Sequence, residues 1–260
     1  MAIASRCLAP DAARFGPSVI TSVDNPRVKE VVRLRKGGAR RAAGLFVAEE
    51  PREVRRARAA GLTIAATFFA PALIAWDDGE EVDERVLRKM SYRAEPEGVI
   101  AVVEIPQRTL PDGSTLLLVA VGIEKPGNLG AMARTADAAG AEAILVGDAE
   151  CDPWNPNAIR ASTGAVFSLP IVPVTADEVA ALPHQKVAAT LGAQSTHTDA
   201  DYTGPTAFLI GAEDDGLPEA WRNLADVNVE IPMHSGAADS LNASAAAAVL
   251  LFEADRQRRA

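Results

Sequence analysis

The residues best able to do chemistry fall in three short stretches of the second half of the chain. Asn128-Leu129-Gly130-Ala131-Met132-Ala133-Arg134 carries an amide and a guanidinium six positions apart. Gly211-Ala212-Glu213-Asp214-Asp215-Gly216 sets three carboxylates between two glycines, directly after an apolar run. Ile231-Pro232-Met233 is followed by Asp239-Ser240-Leu241-Asn242, a hydroxyl and an amide ahead of an alanine-rich tract. Glycine at a strand end lets backbone approach a ligand closely, and open α/β sheets take ligands at the carboxyl ends of their strands. The spacing and acids at 211–216 do not make the dinucleotide fingerprint. That acidic tip repels a pyrophosphate and tolerates a cation such as a sulfonium. Pro232 removes a backbone donor and stops strand pairing, which leaves carbonyls and an amide for a ligand base. Each stretch also has a plain structural reading. Asn128, Ser240 and Asn242 all suit helix caps, and Arg134 is either a surface charge or a placed cation. His184, His197 and His234 fit no Ser/His/Asp or metal pattern. Cys7 and Cys151 lie too far apart for a metal site or disulfide framework.

The elements that must position these residues alternate in type. Residues 1–20 read as a flexible N-terminus. Asn25-Pro26 starts a helix running to about Lys36, with Gly37-Gly38 as its break. Strands are expected at 45–48, 64–70 and 98–105, with helices at 51–61 and 82–90. That pattern predicts a small three-layer α/β domain over 21–105. The Pro/Gly-containing polar stretch 106–115 reads as a linker. Beyond it, over 116–260, strands are expected at 116–121, 143–146, 187–191, 207–210 and 227–231. Helices are expected at 131–139, 156–161, 217–224 and 240–259, the last packing through positions 245, 248, 249 and 252.

Nearly half the residues, 48%, are hydrophobic, enough for a substantial core, and no run approaches a membrane span. The N-terminus does not read as a signal peptide, and a reduced cytoplasmic setting is the default. The chain is −9 overall, yet 27–58 holds eleven Lys or Arg against four acids and is +7. A basic first domain on an acidic body is compatible with RNA phosphates. The candidate contacts are Arg27, Arg35, Lys36, Arg40, Arg41 and Arg52. The plain alternative is a solvated charged helix face.

In this order and spacing the three stretches resemble the signature motifs of the SpoU/TrmH family (SPOUT superfamily) of RNA 2′-O-ribose methyltransferases. The resemblance covers roughly 20–258. It includes a closing helix at 251–258 and, at Val47-Ala48-Glu49-Glu50-Pro51-Arg52-Glu53-Val54, the stretch V-x-E-G-P-x-x-V of the family's substrate-binding domain, with Glu50 in place of glycine. It implies a C-terminal trefoil-knotted methyltransferase domain and an N-terminal L30e-like RNA-binding domain. S-adenosylmethionine is the implied cofactor, held by Leu191, Gly192, Gly211, Ile231, Met233 and Leu241, with no metal. The implied catalytic set is Arg134, Asn128, Glu213, Ser240 and Asn242, in a homodimer whose Arg134 serves the partner's active site. Glu213 is expected to hold Arg134 or a neighbouring subunit contact. Because a guanidinium stays protonated, Arg134 either loses its proton transiently in a special site or stays charged and stabilises a developing alkoxide.

The implied reaction is 2′-O-methylation of structured RNA. The two-domain form favours rRNA over tRNA, and family members that methylate 23S rRNA and so confer antibiotic resistance share it. The competing readings are a tRNA enzyme, a non-catalytic RNA-binding module and a nucleotide-binding oxidoreductase. The segment 122–127 lacks the glycine spacing that the last requires.

Overall fold

The computed structural model describes residues 19–148, 151–234 and 239–260. Most of the stretch read as a flexible N-terminus, and Cys7, lie outside the described residues. Ile20 is already tied in: its N–H donates to the Glu81 carbonyl at 2.9 Å, and it is buried. The chain divides into two compact units, Met1–Pro106 and Gln107–Ala260.

In the first unit, α1 (Pro26–Arg33) begins where the Asn25 side chain accepts the Arg27 N–H at 2.9 Å and Pro26 fills the first turn. The two glycines after Lys36 do not merely break this helix. They open a second one, α2 (Gly37–Ala43), which Gly44 ends with a left-handed φ of 65°. Glycine is cheap in a first turn whose N–H groups lack helical partners anyway. Then follow β1 (Leu45–Ala48), α3 (Pro51–Ala59), β2 (Ile64–Phe69), β3 (Glu80–Glu81), α4 (Glu84–Met90) and β4 (Val99–Glu104).

The sheet order is β1-β4-β2-β3, with β4 antiparallel to both β1 and β2. Val28, Val31 and Leu34 from α1 and its end meet Val86, Leu87 and Met90 of α4 over Phe68, Ile100 and Val102. Strand side chains alternate between faces, so Val99, Ala101 and Val103 point the other way, where α3 packs through Val54 and Ala57. The basic segment is therefore split between two sides of the sheet.

The second unit runs β5 (Leu116–Val121), α5 (Pro126–Ala138), β6 (Ala143–Gly147), α6 (Pro156–Ser162), β7 (Ile171–Pro173), α7 (Ala176–Ala180), β8 (Gln185–Ala189), β9 (Ser195–Thr196), β10 (Thr206–Ile210), α8 (Glu219–Arg222), β11 (Val227–Glu230) and α9 (Ala243–Arg259). Seven parallel strands stand in the order β7-β6-β5-β10-β8-β11-β9. β5 is buried along its whole length, as expected for a strand covered on both faces. The strand order reverses beside β10, and open α/β sheets bind ligands at such switch points.

The last helix buries Ala243, Ala247, Leu250, Leu251 and Ala254. This corrects the expected stripe at 245, 248, 249 and 252: Ala245 is exposed, Ala248 and Val249 are half-buried, and Phe252 is 48% exposed. Arg258 fastens the end of the helix by donating to the carbonyls of Tyr202, Thr115 and Gly204 at 2.7 to 2.9 Å.

Candidate active site

The loops that leave β8, β10 and β11 surround a cavity of about 780 Å³, within the size range of small-molecule sites. All six residues expected around the cofactor line it: Leu191, Gly192, Gly211, Ile231, Met233 and Leu241. Leu191 is 70% exposed, and Met233 and Leu241 are also open to solvent. Three large apolar side chains converging on one concave surface suit a ligand with a flat apolar face, such as the base of an adenosyl group.

The loop geometry fixes which residues fit. Gly216 has a φ of 65°, and a Cβ on Gly211 would meet the Gly216 carbonyl carbon and oxygen at 2.2 Å. Only glycine lets the two ends of 211–216 come this close. Gly192 also takes a left-handed φ of 72°, and its N–H donates to Glu230 Oε2 at 3.0 Å.

Glu213 joins the three stretches. Its Oε1 accepts from Asn128 Nδ2 at 3.1 Å and also from Asn242 Nδ2, and its Oε2 accepts from Lys125 Nζ at 2.5 Å. Asn242 Nδ2 also donates to Asn128 Oδ1 at 3.2 Å. Asn242 caps α9 by accepting the Ser244 N–H at 3.0 Å, so cap and cluster member are one residue. Asn128 is no cap: α5 starts at Pro126 with Lys125 before it, and Asn128 sits in the first turn, facing Glu213. The Lys125 ammonium is the largest influence holding the Glu213 carboxyl below its usual range, followed, after a smaller opposing effect of burial, by the Asn128 hydrogen bond. Glu213 in turn raises the pKa of Lys125. The cluster is thus built around a carboxylate that stays ionised, with amides aimed at it.

Ser240 lines the cavity. Arg134 does not. It is exposed on α5, and no hydrogen bond or ion pair joins it to another described residue. Glu213 therefore holds Lys125, Asn128 and Asn242, and not Arg134 of its own chain. Lys125 carries no local signal of this role; its place comes from its tertiary contact with Glu213. Thr190, Gln194, Asn223 and Asn228 also line the cavity, and no local signal marks them.

The six candidate RNA contacts fare unequally. Arg40 is 2% exposed and donates to the Leu34 and Arg35 carbonyls at 2.8 and 2.9 Å, so it is a structural residue that ties α2 to the end of α1. Arg27 is held by Glu80 and lies 5.0 Å over the Phe68 ring. Arg35 donates to the carbonyls of Lys89 and Ser91. Lys36, Arg41 and Arg52 are exposed.

Residues 115–252 match the SpoU rRNA Methylase family, and residues 25–101 match the MRM3-like substrate binding domain. The 23S rRNA (uridine(2479)-2'-O)-methyltransferase of Streptomyces viridochromogenes is 40% identical over 178 residues, which are 63% of this chain and 61% of that protein's length. The crystal structure of an RNA 2'-O ribose methyltransferase is 42% identical with a TM-score of 0.82, covering 94% of this chain and 100% of the other. The SpoU methyltransferase AviRb from Streptomyces viridochromogenes, solved in complex with AdoMet, is 32% identical with a TM-score of 0.80, covering 91% and 99%. With a family match across more than half its length and an α/β fold superposable on those structures, the chain belongs to the SpoU rRNA methylase family.

Proposed function

We propose that this chain transfers a methyl group from S-adenosylmethionine to a ribose 2′-hydroxyl of 23S rRNA. The observation that carries the reading is Glu213. It gathers Asn128, Lys125 and Asn242, from separate parts of the sequence, at the rim of an adenosyl-sized cavity lined by Gly211, Ile231, Met233, Ser240 and Leu241. S-adenosylmethionine supplies an electrophilic methyl group on a sulfonium. Leu191, Met233 and Leu241 give the adenosyl group an apolar bed, and the loop at Gly211 offers backbone at close range. As the 2′-oxygen bonds to the methyl carbon, the C–S electron pair returns to sulfur and the hydroxyl proton leaves to solvent. The Glu213 carboxylate fixes Asn128 and Asn242 in place, and Ser240 orients the incoming sugar oxygen. Holding both reactants in one cleft provides much of the rate.

Arg134 completes the site from a second copy of the chain. Its guanidinium stays protonated and stabilises the oxygen as negative charge develops. A homodimer is supported by α9, whose outer side carries apolar residues at helical spacing, Ala245, Val249 and the exposed Phe252. α9 packs beside α5, the helix that bears Arg134. The family likeness further supports a trefoil knot in the C-terminal part of the methyltransferase domain. It also supports an L30e-like RNA-gripping role for 21–105, with 106–115 as the linker. The setting is the cytoplasm, where rRNA is available; among the described residues no helix is long and apolar enough to cross a membrane.

The test is transfer of labelled methyl from S-adenosylmethionine to purified 23S rRNA, with tRNA in parallel. The expected result is label in rRNA, in alkali-resistant dinucleotides, as ribose methylation requires. Tight S-adenosylmethionine binding without transfer to either RNA would end the enzyme reading.

A further inference from the structure

We infer that the first unit meets RNA through the outer side of α3, with Arg52 and Arg55 as phosphate ligands and Trp76 as the positioning residue that holds Arg55. This rests on the RNA-methyltransferase reading and narrows it to one surface.

α3 reads Pro-Arg-Glu-Val-Arg-Arg-Ala-Arg-Ala, and its periodicity sorts charge by side. Its one acid, Glu53, is buried with Val54 and Ala57, while Arg52, Arg55, Arg56 and Arg58 are all exposed. The solvent side of this helix is thus cationic without an interleaved acid. Arg52 also stands in the first turn, at the positive end of the helix dipole, where a cation works against the helix. A residue that opposes its local context marks a site selected for something other than stability.

The α1–α2 segment differs. Arg27 is held by Glu80, Lys29 by Asp24 at 3.0 Å and Arg35 by backbone carbonyls, while Arg40 is buried. Arg33, Lys36 and Arg41 stay exposed there, but no aromatic ring among the described residues orders them.

On the α3 side the guanidiniums of Arg55 and Arg58 lie 5.2 and 5.5 Å from the Trp76 ring centroid. Arg58 is further bound to both Asp78 oxygens at 2.8 and 2.9 Å. Arg55 has the ring but no carboxylate partner among the described residues, so it is ordered without being neutralised. The indole N–H of Trp76 is buried without a partner among the described residues. A tryptophan that leaves its donor unused is there for its ring. A half-ordered arginine loses less freedom on meeting a phosphate than a fully mobile one. The whole chain is −9, so a polyanion is drawn to exposed basic patches, and on α3 the patch carries an arginine already ordered by an aromatic ring.

The test compares two full-length variants, Arg52→Ala with Arg55→Ala and Lys36→Ala with Arg41→Ala. Each is titrated against 23S rRNA by filter binding across a range of salt concentrations, with S-adenosylmethionine calorimetry as the control. The α3 pair is expected to raise the RNA Kd at least tenfold and to flatten the log Kd against log salt slope by about 1.4 to 1.8, two phosphate contacts' worth. The α1–α2 pair is expected to stay within twofold of wild type. Trp76→Ala removes no charge but should weaken RNA binding at unchanged melting temperature, with Trp76→Phe restoring it. An α3 pair that binds RNA like wild type, or a loss that follows the α1–α2 pair, overturns the inference and leaves the methyltransferase reading intact. Wild-type protein that binds S-adenosylmethionine but no RNA overturns both.

Discussion

At the residue scale the site depends on Glu213. Its carboxylate is the meeting point of Lys125, Asn128 and Asn242, so Glu213→Gln keeps the shape and removes the charge. Transfer should fall by about 10²-fold, the usual cost of one lost electrostatic support in an active site, with S-adenosylmethionine affinity little changed. Single-turnover kinetics alongside calorimetry separates the two effects, and unimpaired transfer would remove Glu213 from the machinery. The pH dependence has a definite sign. Lys125 lowers the Glu213 pKa, so the pairing is present above the ordinary carboxylate range and is lost only as pH falls through the lowered folded value. Activity across neutral pH should therefore show no inflection from this group. Arg134→Ala should abolish transfer and leave S-adenosylmethionine binding intact, because the proposed role of Arg134 is on the RNA oxygen and not on the cofactor. A large loss of cofactor affinity in that variant would contradict the proposed role. Gly211→Ala acts oppositely. Its Cβ would meet Gly216 backbone at 2.2 Å, so calorimetry should register a loss of cofactor binding of at least about tenfold, or 1.4 kcal/mol.

At the element scale, the junction of β1 and α3 stores a pH dependence. Glu49, Glu50 and Glu53 are all buried there. Glu49 accepts the Ser91 hydroxyl at 2.8 Å and the Tyr92 N–H at 2.7 Å, and Glu50 pairs with Arg93 at 2.8 Å. Burial pushes the Glu53 carboxyl up to about 7. A carboxyl with a raised folded pKa stabilises the fold while protonated, and that contribution is lost as pH rises through the folded value. Glu53→Gln should therefore melt higher than wild type at about pH 8, by on the order of 3 kcal/mol, and match it near pH 5. Calorimetric melts at the two pH values check this, and a variant less stable at both would show that the charge is fully compensated.

The same scale shows what the sequence made legible. Alternating apolar runs and Asn25, Pro26, Pro51 and Asn242 marked most strands and helix starts, because those signals are local. The burial side of α9 was not legible. Its alanines are apolar all round, so the period alone could not choose between 243/247/250/254 and 245/248/249/252; Leu250 and Leu251 decide it by packing inward. β8 ends at Ala189, short of the expected 191, because Leu191 is apolar for a cavity and not for a sheet. β7 and α7 lie outside the elements expected from the sequence, although Thr175 and Glu178 form a capping box that marks the start of α7. Within the site, glycines and acids at strand ends were visible, while Lys125 and Asn228 owe their places to tertiary contacts that no local pattern encodes.

At the scale of the whole molecule, the proposed dimer makes a site from two chains. Val249→Asp with Phe252→Asp should yield monomers by sedimentation and no transfer, while a variant that remains dimeric would place the interface elsewhere. Mixing Arg134→Ala with Gly211→Ala should restore activity to about a quarter of wild type. Half the dimers are then mixed, and one of their two sites pairs an intact cavity with an intact arginine. Activity that stays at the level of the separate variants would mean that Arg134 serves its own chain. The most direct test of the central claim is mass-spectrometric mapping of ribose methylation on unmodified 23S rRNA after incubation with the protein and S-adenosylmethionine. A 2′-O-methyl group at a discrete position, absent with Arg134→Ala, is the expected result; methylation on a base, or none with the cofactor bound, would contradict it.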